Sequence, residues 1–219
     1  GESHRCKFWP MGMLRFSFGT MGSGKSTLAL QIHHNLSSRD LRGLLCTQLD
    51  RDGAQVTSRL GVSAQAVDVG ARLDFEDLCR SFAAQHGGLD YLVCDEAQFY
   101  TPDQVEQLAR VVDGLDADVH ALGLLTDFRG RLFAGSARLL ELADERVEVQ
   151  VEARCWCGCR ATQNARLVDG RQVYDGDVVV VGDTDQEAEV SYELLCRRHW
   201  MAGETGRVGD TMAALTDSA

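Results

Sequence analysis

Gly19-Thr20-Met21-Gly22-Ser23-Gly24-Lys25-Ser26-Thr27 follows a short apolar run, Met13-Leu14-Arg15-Phe16-Ser17-Phe18, and precedes a helical pattern from Leu28 to Leu36. This is the strand, glycine-rich loop and helix of a phosphate-binding P-loop. The glycines let backbone N–H groups close around a triphosphate, and the following helix directs the positive end of its dipole at the same anion. In such a loop Lys25 reaches the β- and γ-phosphates, and the Ser26 hydroxyl binds Mg²⁺. Of 22 basic residues only Lys7 and Lys25 are lysines, and one of them stands where the motif needs it. Gly19, Thr20, Met21, Gly22, Ser23, Gly24, Lys25, Ser26 and Thr27 are therefore the candidate ATP-binding residues. The motif identifies a nucleoside triphosphate but not the reaction done with it.

A length of 219 residues suits one domain, or one domain with a small appendage. At 44% hydrophobic and 25% charged, the chain has the composition of an ordinary packed core. Its net charge of -11 disfavours general binding to nucleic-acid backbones and docking on anionic membranes. A triphosphate must then be held by local groups: the loop, a metal ion and a few arginines. No long apolar run predicts a transmembrane helix. Residues 1–12 lack an apolar signal-type segment and read as a loose extension, residues 202–219 as a fraying tail, and the cytoplasm as the expected compartment.

Residues 13–149 alternate strand and helix. Strands are expected at Leu14–Phe18, Gly43–Leu49, Ala66–Val69, Asp90–Cys94 and Val119–Leu125, and helices at Ser26–Leu36, Asp74–Gln85 and from Pro102 to Val112. Arg51–Gly61 reads as a polar loop. The strands are near-continuous apolar runs, which fits an α/β fold: an open parallel sheet with helices on both faces and ligands at the carboxyl ends of the strands. Beyond residue 149 cysteines, glycines and short strands appear, with no convincing helix. Residues 150–201 read as a small, metal-stapled, β-rich domain in which Val178–Val181 is the strongest strand run.

Leu89-Asp90-Tyr91-Leu92-Val93-Cys94-Asp95-Glu96 is an apolar strand ending in two acids. Paired with the upstream P-loop, this is a Walker-B arrangement, with Asp95 on the Mg²⁺ side. Glu96 then projects beside the γ-phosphate, where a carboxylate can accept a proton from an attacking hydroxyl.

The eight cysteines do not read as a disulfide framework. Cys46, Cys79 and Cys94 lie singly in apolar elements, as small core hydrophobes do. Cys155-Trp156-Cys157-Gly158-Cys159 and Cys196-Arg197-Arg198-His199 form two knuckles, as a structural Zn²⁺ site with four N/S ligands requires. Cys155, Cys157, Cys196 and His199 are the assigned metal ligands, and Cys159 is the alternative in the first knuckle. Four available ligands leave no open position for a catalytic metal.

Together these residues resemble the type II thymidine kinases, the cytosolic family with a zinc-bearing lasso domain, in the version found in high-GC bacteria. The resemblance spans about residues 13–200. It rests on the P-loop, Asp95-Glu96-Ala97-Gln98-Phe99, Leu125-Thr126-Asp127-Phe128-Arg129-Gly130-Arg131-Leu132-Phe133, and the cysteine–histidine cluster. It implies transfer of the ATP γ-phosphate to the 5′-hydroxyl of thymidine or deoxyuridine, in deoxynucleotide salvage, with ATP, Mg²⁺ and structural Zn²⁺. It makes Glu96 the catalytic base, extends the ATP site through Asp95, Glu96, Ala97 and Gln98, and puts Phe99 and Phe128 in the thymine pocket. The lasso falls within Val168–Tyr192, with Val178, Val179, Val180, Val181, Gly182 and Tyr192 contributing to the base site, mainly through main-chain groups. Arg51, Arg59 and Arg166 are the candidates for neutralising the transferring phosphoryl group, a surface ion pair being the other reading of each. A homotetramer and feedback by thymidine triphosphate are further implications of the family. The chain departs from it in the loop before Phe128, where some relatives have Asp-Gly-Thr-Phe, and in the Cys-x-Cys knuckle. The alternative function is a P-loop ATPase with a structural zinc module and water as acceptor.

Overall fold

Strand β6 (Tyr91–Asp95) shows why the sheet is covered on both faces: all five of its residues are buried. Alternate side chains of a strand point to opposite faces. Leu92 and Cys94 join one apolar cluster with Phe75, Leu108, Val112 and Leu139, whereas Tyr91 and Val93 join another with Ala29 and Leu30. A strand packed on one side only could not carry such a run without exposing half of it.

The computed structural model describes residues 12–48, 55–57, 63–149, 152–177 and 189–206, with backbone alone for 55–57 and 63–65. Within them the chain forms two compact units, bounded as Gly1–Leu125 with Leu132–Val151, and Thr126–Arg131 with Glu152–Ala219. The first unit runs β1 (Leu14–Phe18), α1 (Lys25–Ser37), β2 (Gly43–Thr47), β3 (Gln55–Thr57), β4 (Ser63–Gln65), β5 (Val67–Asp68), α2 (Phe75–His86), β6, a 3₁₀ turn at Ala97–Phe99, α3 (Pro102–Leu115), β7 (Asp118–Gly123), α4 (Ala134–Leu142) and β8 (Glu145–Glu148). Its main sheet has the order β5-β2-β6-β7-β1-β8, and every pairing in it is parallel. The expected α/β class, an open parallel sheet with a P-loop after its first strand, is therefore the observed one.

Local signals set several ends. Asp74 caps α2 by accepting from the Asp77 amide, and Gly87 closes it at φ 75. At α3 the Thr101 side chain accepts from the Gln104 amide and the Gln104 side chain returns to the Thr101 amide, with Pro102 in the first turn.

Three differences from the sequence reading have physical causes. The expected loop Arg51–Gly61 contains β3, which pairs antiparallel with β4. Helix α4 had no clear signal because it carries Gly135 and Ser136, both poor helix formers, in its first turn. Packing explains the glycine: a Cβ there would lie 2.6–2.9 Å from the carbonyl oxygens of Tyr100, Ala97 and Gln98. Strand β8, with all four residues exposed, is a charged edge strand without apolar alternation.

The second unit carries the antiparallel sheet β10-β9-β11, built from β9 (Gln163–Val168), β10 (Arg171–Val173) and β11 (Val190–Leu195). It ends in a helix that the sequence reading lacked, α5 (Arg197–Ala202). Six residues are too few to show periodicity. The core of this unit is Cys155, Ala165, Leu167, Leu195, Cys196 and Trp200. Thr126–Arg131 is held in it by the Trp200 indole, which donates to the Phe128 carbonyl at 3.3 Å, and by Gly130, whose Cβ position lies 2.8 Å from the Trp200 ring.

Thr101→Ala removes one half of the α3 capping box and should lower the unfolding free energy by about 1 kcal/mol, read as a lower urea midpoint at unchanged slope. An unchanged midpoint would remove the cap from the account of α3.

Candidate active site

The P-loop leaves β1 at Phe18 and enters α1 at Lys25 through two left-handed glycines, Gly22 at φ 70 and Gly24 at φ 80. Side chains rarely adopt that conformation, so glycine is required by the turn itself. Gly19 has a different reason: a Cβ there would lie 2.6 Å from the Ser23 Oγ. The Gly19 amide donates to the Gly123 carbonyl at 3.3 Å, tying the loop to the end of β7. Helix α1 has neither a side-chain cap nor an acidic residue in its first turn. Its first amides and its dipole are thus directed at whatever anion the loop holds. Lys25 is buried, and its ammonium donates to the Thr20 carbonyl at 2.7 Å and the Ser23 hydroxyl at 3.1 Å.

Asp95 ends β6 and is buried. Burial, and then the neighbouring Glu96, push its carboxyl up to about 6, against the opposing pull of the Ser26 hydroxyl, the Glu96 backbone and Lys25. The two predicted magnesium residues, Ser26 and Asp95, are thus brought together, and a divalent cation beside them would favour the ionised carboxylate. Glu96 follows at φ 53, an uncommon left-handed conformation for a non-glycine residue. The backbone then turns immediately, with Phe99 N–H to the Glu96 carbonyl and Tyr100 N–H to the Ala97 carbonyl. Met21, Gly22, Gly24, Lys25, Ser26, Thr27, Glu96, Gln98, Phe99 and Leu124 line one cavity of about 550 Å³, within the range of small-molecule sites. Phe99 packs edge-on against Phe133, their centroids 5.5 Å apart. Ala97, assigned to the ATP site from sequence, is fully buried at the first position of the 3₁₀ turn.

Cys155, Cys157, Cys196 and His199 place one ligand atom each within 4.8 Å of one another. Tetrahedral zinc with Zn–S near 2.3 Å and Zn–N near 2.0–2.1 Å needs ligand-to-ligand separations of roughly 3.5–3.8 Å. The Cys155 and Cys196 sulfurs lie 3.3 and 3.5 Å from the His199 Nδ1, and the Cys157 and Cys196 sulfurs are 4.0 Å apart. The donor set and its spacing fit the ion. The His199 backbone N–H, first among several groups, lowers the Cys196 thiol from its ordinary value, which favours the thiolate a metal requires. On its far side the His199 Nε2 faces a Glu204 carboxylate oxygen at 3.5 Å, and Trp156 stacks on the imidazole at 4.2 Å. Gly158 makes the turn at φ 83 and Cys159 lies exposed beyond it, outside the group of four. The short α5 is what turns His199 back towards Cys196.

Arg166 is buried in the second unit. Its guanidinium lies 3.8 Å over the Phe128 ring, donates from Nε to the Tyr192 hydroxyl at 3.0 Å, and donates from a terminal nitrogen to the Asp177 carbonyl. These contacts set its guanidinium among aromatic residues of the second unit. Asp127 supports the same loop by accepting from the Arg129 and Arg131 amides. Arg51, Arg59, Val178, Val179, Val180, Val181 and Gly182 lie outside the described residues. Sequence reasoning missed the structural part of Gln98 and the aromatic setting of Arg166, since neither follows from spacing.

A family model described as thymidine kinase matches residues 12–200. The thymidine kinase of Streptomyces coelicolor is 57% identical over 192 residues, covering 86% of this chain and 88% of that protein. The thymidine kinase of Cutibacterium acnes is 52% identical over 199 residues, covering 90% and 92%. The thymidine kinase of Ruegeria pomeroyi is 41% identical over 205 residues, covering 91% and 100%.

Cys157→Ser should lower bound zinc per chain, measured by atomic emission, and lower the thermal midpoint with it, whereas Cys159→Ser should keep full zinc. Loss of zinc in Cys159→Ser with retention in Cys157→Ser would reverse the assignment of the first knuckle.

Proposed function

The chain belongs to the thymidine kinase family, and on that premise we propose that it transfers the γ-phosphate of ATP to the 5′-hydroxyl of thymidine, and of deoxyuridine, giving the nucleoside monophosphate. The observation that carries the reading is that Lys25, Ser26 and Glu96 line one cavity, where an anion-binding loop meets a carboxylate that can act on an incoming hydroxyl. Transfer to an alcohol makes little covalent demand on the protein, so positioning and charge stabilisation dominate.

In this mechanism the amides of Gly22 to Ser26 and the Lys25 ammonium hold the triphosphate. Lys25 exchanges its bonds to Thr20 and Ser23 for phosphate oxygens. Ser26 and Asp95 would hold Mg²⁺, which neutralises charge on the triphosphate when bound. Glu96 accepts the proton of the 5′-hydroxyl as the new P–O bond forms and the bond to the β-phosphate oxygen breaks. Phe99 lines that cavity and offers apolar ring surface to a flat pyrimidine. Cys155, Cys157, Cys196 and His199 would hold zinc, which when bound would staple a unit whose apolar core is small. A thymidine acceptor, unlike water, brings its own binding energy to orient the attacking oxygen.

The purified chain, given γ-labelled ATP and a panel of nucleosides, should label thymidine and deoxyuridine. ATP turnover that labels no pyrimidine deoxynucleoside would contradict the reading and favour water as acceptor. Glu96→Gln should retain ATP binding while thymidine phosphorylation falls by ~100-fold or more; near-normal turnover would remove Glu96 from its role.

A further inference from the structure

Gln98 is 2% exposed, yet its side chain reaches the cavity that Glu96 lines. Its carboxamide makes two directional bonds. The Oε1 accepts from the Leu124 backbone N–H at 3.0 Å, and the Nε2 donates to a Glu96 carboxylate oxygen at 2.5 Å. The orientation of the amide is fixed by chemistry, because a backbone N–H can only donate. With Oε1 held on Leu124, the NH₂ group must face Glu96.

We propose that Gln98 is a positioning residue that holds one oxygen of Glu96 and so aims the other at the acceptor hydroxyl. The inference rests on the thymidine kinase reading and on Glu96 as the proton acceptor. A glutamate has three side-chain torsions, and an untethered carboxylate at a cavity wall samples many directions. Orienting a general base is part of its rate contribution, since it must lie within hydrogen-bond reach of the proton it takes. The amide restricts that freedom through one of the two carboxylate oxygens.

The surroundings are shaped to keep Gln98 in place. A Cβ on Gly123 would lie 2.6 Å from the Gln98 Oε1 and 2.9 Å from its backbone nitrogen, so only glycine leaves room for the amide at the end of β7. From the other side, a Cβ on Gly135 would meet the Gln98 carbonyl oxygen at 2.9 Å. Glu96 itself holds a left-handed backbone, unfavourable for a side chain, that persists only where the surroundings over-determine it. The turn bonds to the Glu96 and Ala97 carbonyls, the Tyr100 hydroxyl on the Asp95 carbonyl and the Gln98 amide supply that determination. These contacts all lie within the first unit.

The isosteric change Gln98→Glu keeps the acceptor for the Leu124 N–H but replaces the donor facing Glu96. Gln98→Met removes both bonds while keeping an unbranched side chain. Steady-state rates with thymidine and ATP should show kcat lowered at least ~10-fold in both variants, with the KM for ATP within about two-fold of the wild type. In a Glu96→Gln background, adding Gln98→Met should cost no further rate, because the positioned group is already gone. Both single variants keeping kcat within two-fold, or equal losses from Gln98→Met with Glu96 intact or replaced, would overturn the proposal. Zinc content and urea midpoint, measured on the same samples, identify a variant that has failed to fold, and Gly123→Ala, which crowds the amide without altering it, then serves as the second probe with the same expected loss of kcat. Wild-type chain that labels no nucleoside would instead defeat the functional reading on which the inference rests.

Discussion

The parallel register of three strands governs the site. Phe18, the last residue of β1, is paired with Gly123 at the end of β7, and on the other side of β7 Ala121 is paired with Cys94. Asp95 and Glu96 therefore arrive level with the point where β1 gives way to the glycine loop. In a parallel sheet all carboxyl ends share one edge, so an anion-binding loop on one strand and paired acids on another are brought together without any long connection. An antiparallel arrangement of the same two strands would put the loop and the acids at opposite edges. The apolar side chains that fix this register, Leu14 and Phe16 on β1 with Leu92, Cys94, Val119 and Ala121, share one core, so the packing that builds the sheet also sets the site.

Burial and function oppose each other at Asp95. The carboxyl is held in a dry position where its charge is disfavoured, with Ser26 and Lys25 close enough to favour it. A divalent cation beside such a group would favour its ionised form. The left-handed Glu96 is similar. Its backbone is unfavourable in isolation, and it is held by the turn that follows and by glycines at 123 and 135 that let neighbouring elements close on that turn.

Much of this was legible in the sequence because the chemistry is local. The P-loop and the strand ending in Asp95-Glu96 each lie within a few consecutive residues, and their spacing carries the mechanism. What was not legible depends on contacts between distant residues. Gly135 reads as a helix breaker, yet it permits α4 to lie on the 3₁₀ turn. Arg166 reads from sequence as a candidate for the phosphoryl group or for a surface ion pair, and its packing on Phe128, 38 positions earlier in the chain, with its Nε on Tyr192, follows from no local pattern. The loop Thr126–Arg131 follows β7 in sequence but packs within the second unit, through Trp200 and Asn164. In the metal group the ligand types were evident, whereas the choice of Cys157 over Cys159 depends on the turn at Gly158 and on α5 presenting His199.

The central claim is that the loop after β1 grips a triphosphate through Lys25 and the amides around it. Isothermal titration of Mg-ATP into wild-type chain and Lys25→Met, with zinc content and thermal midpoint measured in parallel, tests it most directly. The account predicts saturable binding to the wild type and at least ~100-fold weaker binding to the variant at unchanged zinc content, consistent with loss of a charge-assisted phosphate contact. Equal affinity in the two proteins would contradict it and move the triphosphate away from the glycine loop.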